Sequence, residues 1–173
     1  MNFSTINTFD VVNGEGIRVS LYVSGCSHHC KGCFNPCTWD KNYGEEFGKE
    51  QEDWIISFLK RPEYDGLTLL GGEPWEPYNQ EVLVSFLKRV KSECPDINIW
   101  SFSGYTWEEL HNPASRCYTK CTLDMLSMID ILIDGEFHID ERDISLVYRG
   151  SKNQRIIDVK ESIREGKVIE KKI

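Results

Sequence analysis

The sequence predicts an α/β fold, an incomplete (β/α) barrel of about five or six mainly parallel strands. Three observations predict it. Short apolar runs with a period of two alternate with amphipathic stretches whose apolar residues recur every three or four positions, the pattern of βαβ units. Each such run ends in a short loop containing Gly, Cys or an acid, and in α/β folds the loops at the carboxyl ends of strands are where sites are built. The strand count falls short of the eight that close a full barrel.

The elements follow in chain order. From Ile17 to Ser24 the residues Ile, Val, Leu and Val alternate with Arg, Ser, Tyr and Ser, which predicts a strand delivering a cysteine-rich loop. Glu50 to Leu59 places Trp54, Ile55, Phe58 and Leu59 on one helical face, with Pro62 after the stop. Gly66 to Leu70 is a short apolar strand running into Gly71-Gly72-Glu73-Pro74. Tyr78 to Ser92 carries Val82, Leu83, Phe86, Leu87 and Val90 at helical spacing and closes at Cys94-Pro95. Ile97 to Phe102 is the third strand, ending in Ser103-Gly104-Tyr105; a helix opens at Trp107 and another covers Leu123 to Met128. Ile129 to Asp134 is the fourth strand, with Gly135-Glu136-Phe137 as its loop. Beyond Asp140 the pattern weakens, and Lys160 to Ile173 reads as a charged helix with a short final strand.

Composition sets bounds. The 173 residues fit one domain, 1–173, and 40% hydrophobic with 28% charged residues is ordinary for a globular chain. A net charge of -8 argues against a nucleic-acid partner, which needs a basic surface. No apolar run approaches the ~20 residues of a membrane span, and the amino terminus has no signal-peptide pattern. These features predict a cytoplasmic protein without membrane contact, and seven unevenly spaced cysteines there read as metal or redox thiols.

The chemistry centres on Cys26-Ser27-His28-His29-Cys30-Lys31-Gly32-Cys33, a C-x3-C-x2-C loop. Tetrahedral zinc sites take four ligands, commonly as two separated pairs, and no second pair of comparable spacing is present. Three clustered soft thiolates suit an iron-sulfur cubane with one iron left open. Cys37 offers a competing fourth ligand, which would make a structural zinc knuckle or a plain electron-transfer cluster. His28 and His29 read as solvent-facing loop residues between the ligands. Gly71-Gly72-Glu73-Pro74 permits close backbone approach, although a tight turn explains it as well. Ser103 could cap the helix starting near Trp107. Cys117 and Cys121 lack further ligands nearby and read as incidental thiols.

The stretch from Val12 through Cys33-Phe34-Asn35, with the later Gly71-Gly72-Glu73-Pro74 and Ser103-Gly104-Tyr105, resembles the radical S-adenosylmethionine (SAM) enzymes. More narrowly it is similar to the activators of anaerobic ribonucleotide reductase, with landmarks in order from about Phe9 to Ile157. The resemblance implies a partial barrel of the radical SAM type. It implies a 4Fe-4S cluster on Cys26, Cys30 and Cys33 whose open iron chelates SAM. Around SAM it implies Gly32 to turn the loop, Phe34 beside the adenine, Gly71, Gly72 and Glu73 at the amino group, and Ser103 at the methionine part. Asp134 is carried over weakly, because Glu136 stands where related activators have a lysine. The activity implied is reductive cleavage of SAM to methionine and a 5'-deoxyadenosyl radical, which generates a glycyl radical on the large subunit of anaerobic ribonucleotide reductase. Flavodoxin or a similar low-potential protein is the implied electron donor. Two alternatives stand beside it: a small-molecule radical SAM enzyme such as a deazapurine synthase, and a non-catalytic four-cysteine module. If the substrate is a protein loop, Tyr105 and Phe137 are candidate docking anchors with ordinary core as the competing reading.

Overall fold

The computed structural model describes residues 1–172 and carries a seven-stranded sheet in the order β3-β1-β2-β4-β5-β6-β7. The strands are β1 (Asn2–Asp10), β2 (Arg18–Val23), β3 (Glu45–Glu46), β4 (Gly66–Gly71), β5 (Asn98–Phe102), β6 (Ile131–Asp134) and β7 (Arg155–Asp158). The helices are α1 (Lys49–Leu59), α2 (Pro77–Glu93), α3 (Trp107–Leu110), α4 (Thr122–Ser127) and α5 (Val159–Glu165). Residue 173 lies outside the described residues, so the final strand expected to reach it is seen only as a bridge between Glu170 and Ile157. Among the described residues no helix is long and apolar enough to cross a membrane.

The α/β class expected from the sequence is present, with two corrections to the sheet. Only the central four strands, β2-β4-β5-β6, are parallel; β1 and β3 on one side and β7 on the other pair antiparallel. The count is therefore seven rather than five or six, and β1 and β7 do not pair, so the sheet is not closed. The missed β1 is an amino-terminal strand in which Asn, Ser and Thr separate Phe3, Ile6 and Phe9, and its burial is only partial because one side faces solvent. β7 was hidden in the polar run before Ile156 and Ile157, the two residues of the strand that are buried.

Alternation along the strands sorts the two faces. Val19, Leu21, Val23, Leu67, Leu69, Ile99, Leu132 and Ile157 form one core with the helices, joined by Ile55, Ile56 and Leu59 of α1 and Leu83, Phe86, Leu87 and Val90 of α2. Trp54, expected on that face, is 47% exposed; the burying stripe of α1 runs one position later, through Ile56. The opposite face carries Arg18, Ser20 and Tyr22 of β2, Thr68 and Leu70 of β4, and a second cluster of Trp100, Ile131, Ile133 and Ile156.

Arg18 is fully buried on that face. Its Nε donates to Thr68 Oγ1 (2.7 Å), Nη1 to Asn98 Oδ1 (2.7 Å) and the Glu15 carbonyl (3.0 Å), and Nη2 to the Leu67 carbonyl (2.8 Å). The guanidinium also lies 5.2 Å from the Trp100 ring centroid. A buried cation is tolerated when its donors are all answered, and these are. Gly66 leaves the space the guanidinium occupies. Arg18, Thr68 and Trp100 thus fill the layer beneath the carboxyl ends of the parallel strands.

Candidate functional site

Above that layer, the loops after β2, β4, β5 and β6 surround one cavity of about 400 Å³. Cys26, Cys30 and Cys33 line it together with Phe34, Gly71, Gly72, Glu73, Ser103 and the strand residues Tyr22, Leu70 and Phe102. Residues as far apart in sequence as Asn13 and Gln154 therefore meet at the carboxyl edge of the sheet, because parallel strands bring all their following loops to one side. Cys37 does not line this cavity. It is exposed on the short 3₁₀ turn Pro36–Trp39, donates to Asn35 Oδ1 (3.1 Å), and faces a separate groove beside β1. Cys117 is buried in the helix-side core with its thiol 3.1 Å from Ser115 Oγ.

The cysteine loop is built backbone to backbone on the glycine loop. Gly25 donates to the Thr38 carbonyl (2.7 Å) and accepts from Glu73 N (2.8 Å), while Gly72 N donates to the Val23 carbonyl (2.7 Å). A Cβ on Gly72 would sit 2.6 Å from the Gly25 carbonyl oxygen and 3.0 Å from that of Thr38. Gly71, at φ +108°, would place one 2.7 Å from Tyr22 Cα. The close approach read from the sequence is thus an approach to the cysteine loop itself. Gly32 has φ +76°, where L side chains are strained, as the tight turn between Cys30 and Cys33 requires.

The residues between the cysteines are anchors, which corrects the expectation that both histidines face solvent. The His28 side chain is 3% exposed: Nε2 lies 3.2 Å from Glu73 Oε2, off the line of a hydrogen bond, and Nδ1 is 2.7 Å from Glu136 Oε1. Burial opposes a charge on His28, but the two carboxylates outweigh it and raise its pKa above the ordinary imidazole value. Ser27 donates to Glu76 Oε1 through its amide (2.8 Å) and its hydroxyl (2.5 Å). His29 is exposed and stacks on Trp39, with centroids 4.6 Å apart, at a left-handed φ of +52°. Sequence reasoning passed over Glu76; the only signal was a second acid three residues after Glu73, flanking Pro74-Trp75.

Glu73 itself is 1% exposed and fully engaged. Its Oε1 accepts from Trp75 N (2.9 Å) and Ser103 Oγ (3.1 Å), and its Oε2 from Gly104 N (2.6 Å). Ser103 Oγ accepts in turn from Tyr105 N, so it caps no helix; Thr106 caps α3. Asp134 is also 1% exposed, but it lines the neighbouring depression rather than this cavity. Its carboxylate accepts from Trp107 N (2.7 Å) and from Arg155 Nε (3.0 Å) and Nη2 (2.5 Å). Tyr105 is buried, 1% exposed, which removes it as a docking anchor. Phe34 is 70% exposed, packs 5.2 Å from Phe137, and carries the Arg142 guanidinium 5.5 Å from its ring centroid.

Burial and the nearby Glu73 carboxylate push the Cys26 thiol up to about 12, against hydrogen bonds from the His28 and His29 amides; burial also raises Cys30. Thiols so placed lose their protons only to a cation strong enough to compensate the charge, which is how metal and cluster ligands behave. Among the described residues no three His, Cys, Asp or Glu side chains converge on a single-ion site. A cubane asks for no such convergence, because each cysteine attaches to a different iron. The donor set fits a cluster.

Comparison with known proteins agrees. Residues 12–157 match the family model described as a 4Fe-4S single cluster domain. The chain is 47% identical over 158 residues to the anaerobic ribonucleoside-triphosphate reductase-activating protein of Haemophilus influenzae, covering 90% of this chain and 97% of the relative. The proteins of that name from Escherichia coli K12 (39% identical; 89% of this chain, 96% of the relative) and Enterobacteria phage T4 (36%; 90% and 93%) are similar along the same extent. With its cysteine loop, glycine loop and cavity in the positions described, the chain belongs to the family of anaerobic ribonucleoside-triphosphate reductase-activating proteins, built on a 4Fe-4S cluster domain.

Proposed function

We propose that this chain is a radical SAM enzyme that installs a glycyl radical in the large subunit of anaerobic ribonucleotide reductase. The observation that carries the proposal is the assembly of the three cysteines and the Gly71-Gly72-Glu73 loop around one cavity at the carboxyl edge of the parallel strands. Cys26, Cys30 and Cys33 would hold the 4Fe-4S cluster. When bound, cluster and SAM supply reductive cleavage of the sulfonium to methionine and a 5'-deoxyadenosyl radical, which takes hydrogen from a glycine of the partner. The electron comes from flavodoxin or a similar low-potential protein, in the cytoplasm.

The chain's own residues bind, orient and exclude water. The Gly71 and Gly72 backbone would border the SAM amino group, with Glu73 holding that loop rather than offering a free carboxylate, since its oxygens are taken by Trp75, Ser103 and Gly104. Gly32 shapes the turn, and exposed Phe34, beside Phe137, offers an aromatic face to the adenine. Ser103 would act on SAM only through Glu73, which it holds, and Asp134, outside the cavity, only through the Trp107 and Arg155 contacts it makes. Arg18, Thr68 and Trp100 fill the layer beneath the cavity, which supports a substrate glycine presented from outside over a small molecule held within. The position of Cys37 outside the cavity supports a three-cysteine site over a four-cysteine module.

The test is anaerobic reconstitution with iron and sulfide, SAM titration, and electron paramagnetic resonance (EPR) after mixing with the reductase large subunit and a reductant. A SAM-dependent glycyl radical is expected. Methionine release with no radical on the reductase would overturn the assigned substrate.

A further inference from the structure

We infer that His28 is a positioning residue: its imidazole locks the loop bearing Cys26 and Cys30 to the loops after β4, β5 and β6, holding the thiols and the glycine loop in register across the cavity. The inference rests on the reading above that these two loops hold the cluster and SAM.

The geometry is that of a hub. The His28 side chain is 3% exposed, and burying an imidazole costs free energy unless its surroundings answer it. Glu73 follows β4, Tyr105 follows β5, Glu136 follows β6, and Arg116 comes from the connection between α3 and α4. All four reach the ring. Nε2 is 3.2 Å from Glu73 and Nδ1 is 2.7 Å from Glu136. The Tyr105 ring centroid is 4.3 Å away, and an Arg116 nitrogen is 3.4 Å from Nδ1.

Gly104 supplies an independent observation. A Cβ there would lie 2.6 Å from both Cδ2 and Nε2 of His28, although Gly104 is not among the positive-φ glycines, so its backbone makes no demand for glycine. The residue is small because the imidazole rests on it. The same triplet serves the same purpose throughout. Ser103 and the Gly104 amide hold the Glu73 carboxylate beside the ring, and Tyr105 covers one face. Partners in a shell outside the ligands are worth about 10- to 100-fold in affinity at metal sites, by fixing ligand orientation.

The experiment compares the wild-type chain with His28→Ala, Gly104→Ala and the double variant after anaerobic reconstitution. It measures iron per chain, melting of the iron-free chain, SAM affinity, and the EPR spectrum of the reduced cluster with and without SAM. Each single variant is expected to keep its iron, because the three thiols remain, while SAM binding weakens relative to wild type and the SAM-induced spectral change shrinks. The double variant should be no weaker than His28→Ala alone, since Gly104 acts through the ring. Wild-type SAM affinity and spectra in His28→Ala, additive losses in the double variant, or loss of iron together with a lowered melting temperature would each overturn the inference. A wild-type cluster indifferent to SAM would overturn the proposed cofactor, and the inference with it.

Discussion

Replacing Gly72 by Ala tests whether the glycine loop and the cysteine loop are one unit. The new Cβ meets the Gly25 carbonyl oxygen at 2.6 Å, roughly 0.8 Å inside the 3.4 Å where ordinary contact begins, with Gly25 C and Thr38 O both at 3.0 Å. All three obstacles are backbone atoms, so no rotamer relieves them. The chain must shift at Gly25, the residue before Cys26, which also accepts from Glu73 N and donates to Thr38. Overpacking of this kind costs about 1–3 kcal/mol, and weakening those hydrogen bonds adds about 1 kcal/mol. Iron-free Gly72→Ala should therefore melt roughly 4–16 °C lower, at about 2–4 °C per kcal/mol for a chain of this size. After anaerobic reconstitution, iron per chain and SAM affinity should fall together. Full iron loading with an unchanged melting temperature and a selective loss of SAM binding would refute this reasoning, and would mean that Gly72 is small for the cofactor alone.

Three further outcomes are expected. Cys26→Ala, Cys30→Ala and Cys33→Ala should each fail to hold a cluster by iron analysis, while Cys37→Ala keeps it; iron retained in any of the first three sinks the ligand assignment. Arg155→Ala leaves Asp134 buried without its cation and should destabilise the fold by about 3–5 kcal/mol in denaturant titration, so a change below 1 kcal/mol would show that the pair carries little. Asp130 has a lowered pKa: burial works against its charge, but Lys160, the Ile99 amide and Lys91 prevail. Its contribution, about 1.5–3 kcal/mol, is present above the unfolded carboxylate pKa near 3.9 and is lost as pH falls through the lower folded value. Asp130→Asn should lower stability at pH 7 and converge on wild type in acid, and a constant gap across pH would contradict the assignment.

The helices and parallel strands were legible because each declares itself locally. Leu83, Phe86, Leu87 and Val90 repeat at helical spacing, and Leu67 and Leu69 alternate toward the helices. The edges were not, since β1 and β7 bury too little to enforce a pattern. In the site, the cysteine spacing pointed to a metal centre without help from tertiary structure. What His28 and Glu76 do was illegible for a physical reason: Ser27 meets Glu76 49 positions away and His28 meets Glu136 108 positions away, and a loop histidine has no periodicity to betray burial. Glu73 and Ser103 were picked out by motif, but their direct partners are one another.

The unpaired ends of the sheet have an elastic consequence. With no ladder joining β1 to β7, the span between the two sides is tied by side chains, at the top by Phe34 against Phe137 and His28 against Glu136, and at the bottom by Lys171 Nζ to Glu15, 2.8 Å apart. An exposed ion pair contributes about 0–1 kcal/mol and an aromatic pair about 0.5–1.5 kcal/mol. Releasing those two ties alone costs on the order of 2 kcal/mol, and the His28–Glu136 contact still holds the top. Lys171→Ala should speed amide exchange over 135–150 without touching the central strands, and unchanged exchange there would show that other contacts set the width. A mouth closed by side chains rather than by a ladder can change width without breaking a strand pair, and its width is set by those few contacts.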